Sequence, residues 1–211
     1  PCFGNGKVIG AILFEKTMDG ESGGKPVPVR LAERGVVPFL KVDKGLEEER
    51  DGVQLMKPMP GLEALCARAK ALGVFGTKMR SVIKRADAQG IEAIVAQQFA
   101  EGRRILGEGL VPILEPEYDI TAADRAQGER LLLASITRHL DTLGENEQVM
   151  LKLSIPAEAG LYAPLIAHPK VLRVVALSGG YSTDEACEKL AQNPGMIASF
   201  SRGLLQDLRH Q

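Results

Sequence analysis

The feature that most restricts this chain is an alternation of two kinds of segment. Short apolar runs recur along it, separated by longer stretches with helical spacing. The runs are 9–14 (IGAILF), 36–42 (VVPFLKV), 74–79 (VFGTKM), 110–115 (LVPILE), 149–154 (VMLKLS), 172–177 (LRVVAL) and 196–201 (MIASFS). The helical stretches fall near 61–72, 88–107, 122–142, 159–167 and 183–192. Most runs read apolar at both parities, which suits parallel strands covered by helices rather than half-solvated antiparallel ones. Two helix starts are marked. Ser182-Thr183-Asp184-Glu185 is a capping box, and Thr121-Ala122-Ala123-Asp124 is a looser version.

Alternating β and α segments leave two architectures, an open doubly wound sheet or a (β/α)8 barrel. The open sheet usually carries a glycine-rich turn after its first strand, and none follows 9–14. A barrel needs eight strands, whereas seven runs are visible. The chain opens at Pro1 without a methionine and runs almost directly into a strand. The expectation is therefore a TIM (β/α)8 barrel with seven of its eight strands in this chain, the eighth lying upstream. Residues 1–211 then form a single domain, incomplete at both ends, of ample length for a real core.

Composition excludes several classes. A net charge of -1 offers no global basic field for nucleic acid. No apolar run approaches the roughly 18 residues of a membrane span, and no signal peptide stands at the start. Cys2, Cys66 and Cys187 are scattered outside any CxxC spacing, which fits a reduced, cytoplasmic setting. His139, His168 and His210 are far apart and form no ligand motif, so neither a metal nor another cofactor is expected. The expected partner is a small molecule, and a homo-oligomer is compatible with this composition.

The ends of the strand runs carry the chemistry. They close as Lys41-Val42-Asp43, Lys78-Met79-Arg80, Glu115-Pro116-Glu117 and Lys152-Leu153-Ser154. Polar residues two apart point to one face of a strand. Four consecutive strands thus send polar groups the same way near their C-terminal ends, where barrel active sites lie. A snorkelling side chain accounts for one lysine, but poorly for four strands in register. The last two runs end differently, in Ser178-Gly179-Gly180-Tyr181-Ser182 and Ser199-Phe200-Ser201-Arg202-Gly203. Backbone amides at a helix start, with a cation beside them, suit phosphate. Lys152, buried near the cations Lys78 and Arg80, is expected to be partly neutral and able to form an imine, with Glu115 moving protons. That combination reads as a Schiff-base lyase acting on a sugar phosphate. Another lysine-imine barrel lyase or transferase, or a barrel with a compromised site, stays open. Glu47-Glu48-Glu49-Arg50 reads as a solvated face and Met56, Met59 and Met79 as packing residues. Glu15 suits either the mouth or a salt bridge.

At these residues the sequence resembles class I fructose-1,6-bisphosphate aldolase, in its bacterial form. The motifs are GAILFE (10–15), KVDKG (41–45), GTKMR (76–80), VPILEPE (111–117), MLKL (150–153), LSGGYS (177–182) and SFSR (199–202), in family order. The resemblance implies reversible cleavage of fructose 1,6-bisphosphate to dihydroxyacetone phosphate and glyceraldehyde 3-phosphate. By motif position it implies Lys152 as the imine-forming lysine, Glu115 as proton shuttle, Lys78 as a contact to the reacting hydroxyls and Glu117 as a supporting carboxylate. Lys41 and Arg80 match residues near the far phosphate. Ser178, Gly179 and Arg202 match the grip on the phosphate next to the ketone. With their neighbours, the expected substrate- and phosphate-binding set is Lys41, Asp43, Arg80, Ser178, Gly179, Gly180, Ser201 and Arg202. The family also has a first strand carrying an aspartate, and a mobile C-terminal tail, both expected to lie outside this chain.

Overall fold

In the computed structural model, which describes residues 6–201, each of the apolar runs forms a strand. The elements are β1 (Gly10–Leu13), α1 (Glu15–Met18), β2 (Glu21–Ser22), β3 (Lys25–Pro26), α2 (Val27–Ala32), β4 (Val37–Lys41), β5 (Val53–Gln54) and α3 (Leu62–Ala71). They continue with β6 (Gly76–Ile83), α4 (Ala88–Gly107), β7 (Val111–Tyr118), α5 (Arg125–Leu140), β8 (Val149–Ser154), α6 (Ala163–Ile166), β9 (Val171–Leu177), α7 (Thr183–Ala191) and β10 (Ile197–Ala198).

The main sheet runs β1-β4-β6-β7-β8-β9-β10, each strand parallel to the next. This order follows the chain without reversal. A doubly wound sheet must reverse its order at a switch point so that helices cover both faces. Here right-handed crossovers in one direction put the helices on one face only, which is the TIM-barrel arrangement. Among the described residues the sheet ends at β1 and β10, giving seven strands of that barrel.

Strand parity decides where the core sits. Leu40, Met79, Leu114, Leu151, Leu153 and Val174 share one buried cluster with Ile91, Ile94 and Phe99 of α4 and with Leu132 and Ile136 of α5. The opposite parity carries Phe39 and Ile113 below the charged residues of their strands, and Val175 level with Lys152.

Several boundaries differ from expectation. β6 runs on to Ile83 and β7 to Tyr118, because β5 pairs antiparallel with the end of β6 and the two long strands stay paired to Ile83 and Tyr118. The 159–167 stretch yields only Ala163–Ile166, since Gly160 is left-handed (φ 79°) and Pro164 belongs at a helix start. The Ser182 box forms, with Ser182 Oγ accepting from the Glu185 N–H at 3.2 Å. The Thr121 box does not. Thr121 bonds Asp119 instead, α5 opens after Asp124, and the Asp124 carboxylate accepts from the Ala86 N–H at 2.8 Å. The short elements α1, β2, β3, α2 and β5 are two to six residues long, too short to leave a readable periodicity. Among the described residues no helix is long and apolar enough to cross a membrane.

Candidate active site

Strands β4, β6, β7 and β8, with Asp43 two residues past the end of β4, place a row of alternating charges side by side. Pairing in parallel register aligns Lys41 with Lys78 and Arg80 with Glu115, so these side chains share one face. Lys152 Nζ lies 3.0 Å from Glu115 Oε1, and Lys78 Nζ lies 2.7 Å from Glu115 Oε2. Lys78 is also 3.6 Å from Asp43 Oδ2, while Asp43 Oδ1 receives Lys41 Nζ at 2.7 Å. Lys152, Glu115, Lys78 and Asp43 are all buried, at 6%, 3%, 6% and 8% exposure. Isolated charges at such depth would be prohibitively desolvated, so the alternation is what makes the row tenable.

Glu115 is the centre of that row. Each of its carboxylate oxygens meets a different lysine, Oε1 meeting Lys152 and Oε2 meeting Lys78. A carboxylate shared in this way can receive a proton from either ammonium group.

Further along, Arg80 Nε donates to Glu117 Oε2, and that hydrogen bond holds the Arg80 guanidinium still more firmly protonated. The Arg80 backbone N–H reaches Asp43 Oδ2 at 3.3 Å. Lys41, Lys78, Arg80 and Lys152 thus face Asp43, Glu115 and Glu117, one positive charge in excess. Such a surplus attracts an anionic ligand.

Ser154, on the Lys152 strand, turns out to be structural. Its hydroxyl donates to the Tyr118 carbonyl at 2.6 Å and accepts the Tyr118 N–H at 3.0 Å, bracing the end of β8 against β7. The loop after β9 presents Gly179 (φ 63°) and Gly180 (φ 121°), conformations that favour glycine and turn the chain sharply. Tyr181 N–H closes this turn on the Ser178 carbonyl at 3.0 Å. Ser201 is exposed just beyond β10, and Arg202 lies outside the described residues. The structure therefore brings together Lys41, Asp43, Lys78, Arg80, Glu115, Glu117 and Lys152, with Ser178, Gly179 and Gly180 at the end of the neighbouring strand.

Other residues fall outside the row. Glu15 forms ion pairs with Arg68 at 2.6 Å and Lys44 at 3.3 Å. Met56, Met59 and Met79 are buried packing residues. Glu49 pairs with Lys84 at the surface. Burial pushes the Cys66 thiol up to about 11, which makes it an inert core residue. The pairing of Arg125 with Glu129 carries no distinctive signal in the sequence. An Arg–Glu pair four apart on a helix is indistinguishable from a solvated surface pair until its burial is known.

Two comparisons bear on this geometry. The family model described as fructose-bisphosphate aldolase class-I matches residues 4–131, more than half of the chain. Among solved structures, the fold superposes on fructose-bisphosphate aldolase from Plasmodium falciparum, solved in complex with TRAP and a small molecule inhibitor. The TM-score is 0.78, at 24% identity over 97% of this chain and 71% of that one. A Burkholderia cenocepacia J2315 chain, provisionally described as a phosphonomutase, aligns at a TM-score of 0.36 and 16% identity, over 84% of this chain and 70% of its own.

Proposed function

Because the chain belongs to the class I fructose-bisphosphate aldolase family, we propose that it is a Schiff-base, metal-independent lyase. On this reading it reversibly cleaves fructose 1,6-bisphosphate to dihydroxyacetone phosphate and glyceraldehyde 3-phosphate, serving glycolysis and gluconeogenesis in the cytoplasm. The observation that carries the reading is the Glu115 carboxylate shared between Lys152 and Lys78, at 3.0 and 2.7 Å.

Glu115 first takes a proton from the Lys152 ammonium, freeing the amine. The amine attacks the C2 carbonyl of the open-chain sugar and forms a C–N bond, and the nitrogen proton transfers to the new alkoxide. Glu115 then gives its proton to that hydroxyl, which leaves as water, and the carbon is left as a protonated imine. As the C4 hydroxyl loses its proton to the freed carboxylate, the C3–C4 bonding electrons flow into the imine. An aldehyde product and an enamine result. The same proton returns to C3, and hydrolysis of the imine releases the ketone product and restores the amine.

Lys78, held between Glu115 and Asp43, stabilises the oxyanions that develop along this path. Lys41 and Arg80 receive the phosphate farther from the ketone, while Asp43 and Glu117 hold those cations in place. The Ser178 hydroxyl and the Gly179 and Gly180 amides, with Ser201 and Arg202, grip the phosphate beside the ketone.

Borohydride reduction in the presence of dihydroxyacetone phosphate tests the proposal. Peptide mass analysis should find a stable adduct on Lys152 that vanishes in Lys152→Ala. Glu115→Gln should slow cleavage by roughly 10²–10⁴-fold. Absence of an adduct on Lys152, or cleavage that a chelator abolishes, would refute the mechanism.

A further inference from the structure

A buried guanidinium beside the row of charges touches neither a lysine nor a carboxylate of that row. Arg125, at the start of α5, is 6% exposed and donates in three directions. Its Nε reaches Glu129 Oε1 at 2.7 Å, its Nη2 reaches the Ile155 carbonyl, and its Nη1 reaches the Tyr181 hydroxyl at 2.8 Å. The fully buried Glu129 extends the link, its Oε2 accepting the Ala157 N–H at 2.7 Å.

The two ends of this link belong to different loops. Ile155 and Ala157 follow β8 directly, three and five positions beyond Lys152. Tyr181 closes the turn that holds Gly179 and Gly180, and Lys189 of α7 covers its ring at 4.9 Å. Burial pushes the Glu129 carboxyl up, so the pair is assembled against a desolvation penalty. A buried ion pair is a poor way to gain stability, since apolar residues of the same volume often do as well. What apolar residues cannot do is hold a carbonyl, an amide N–H and a hydroxyl on two loops at fixed separations.

We propose that Arg125 is a positioning residue, tying the loop that carries Ser178, Gly179 and Gly180 to the strand that carries Lys152. It thereby sets the distance between the phosphate grip and the imine-forming amine. The inference rests on the lyase reading in one respect, that the ketone-side phosphate sits in the 178–180 turn. A lysine at this position has a single-point cation and cannot span all the partners.

Tyr181→Phe removes one hydroxyl and leaves the ring in place. It should weaken equilibrium binding of dihydroxyacetone phosphate about 5–10-fold, the scale of the net contribution of one ordinary hydrogen bond. The rate at which saturating, phosphate-free dihydroxyacetone is trapped on Lys152 by borohydride should not change. Arg125→Lys should shift binding in the same direction, provided its melting temperature shows that it folds. Equal phosphate-ligand affinity in wild type and Tyr181→Phe overturns the role, as does an equal loss with both ligands or no binding by wild type. If the affinity shift appears but no adduct forms on Lys152 in wild type, the lyase reading fails and the tie between the loops stands.

Discussion

At the scale of single residues, carboxylates in this protein are defined by what surrounds them. Glu115 and Asp43 are each placed between cations in the mouth, whereas Glu92 of α4 joins two helices on the outside. Glu92 accepts from Ser135 Oγ at 2.6 Å, meets His139 Nε2 at 2.8 Å and pairs with Arg138 at 2.7 Å. The Ser135 hydroxyl foremost, then His139, lowers its carboxyl to about 2. An unfolded-state value near about 4.3 means that this stabilisation is fully present above that pH and is lost as pH falls toward about 2. The Glu92 side chain is 43% exposed, so screening limits the contribution to about 1 kcal/mol. Glu92→Gln should therefore lower the melting temperature at pH 7 by roughly 2–4 °C, and the gap should narrow in acid. A melting-temperature gap of the same size at pH 7 and near about pH 3 would show that the carboxylate charge is not the source.

At the scale of elements, the sequence was legible where burial and period agree. The 88–107 stretch forms α4 over the full predicted range, because its apolar period is long and Asp87 caps it by accepting the Gly90 N–H at 2.7 Å. Strand positions were legible because both of their faces are apolar. The ends of β6 and β7 were not, since they depend on pairing with the distant residues Val53 and Tyr118. Within the site, the shared parity of Lys41, Lys78, Glu115 and Lys152 could be read from spacing, but the bridging position of Asp43 could not. That position depends on where two strands meet.

Packing of α5 on β7 likewise depends on a contact between two elements. A Cβ on Gly128 would lie 1.8 Å from the Tyr118 hydroxyl oxygen, at a helical position with no unusual φ. Gly128→Ala should therefore destabilise the fold by about 1–3 kcal/mol through overpacking, despite the better helix propensity of alanine. Gly107→Ala, with no atom within 4 Å of the added carbon, is the control and should be neutral or stabilising by up to about 1 kcal/mol. Chemical denaturation of both variants checks this. Equal stability of Gly128→Ala and wild type would mean that α5 can move off Tyr118 at little cost.

At the scale of the whole molecule, a chain of net charge -1 holds a mouth with one positive charge in excess. On the lyase reading, attraction of a doubly phosphorylated sugar must be local, because the molecule as a whole repels anions weakly. Local attraction has a measurable range. Raising a monovalent salt from about 0.05 M to about 0.5 M shortens the Debye length from roughly 14 Å to roughly 4 Å. That change screens a ligand approaching the mouth while leaving contacts among buried charges nearly intact. On the lyase reading, kcat/KM for the bisphosphate should fall several-fold over this range with kcat nearly unchanged. Trapping of uncharged dihydroxyacetone on Lys152 should not respond. A fall in kcat of the same size would place the salt effect on the buried Lys152–Glu115–Lys78 row itself. A kcat/KM indifferent to salt would mean that the excess charge plays no part in drawing substrate in.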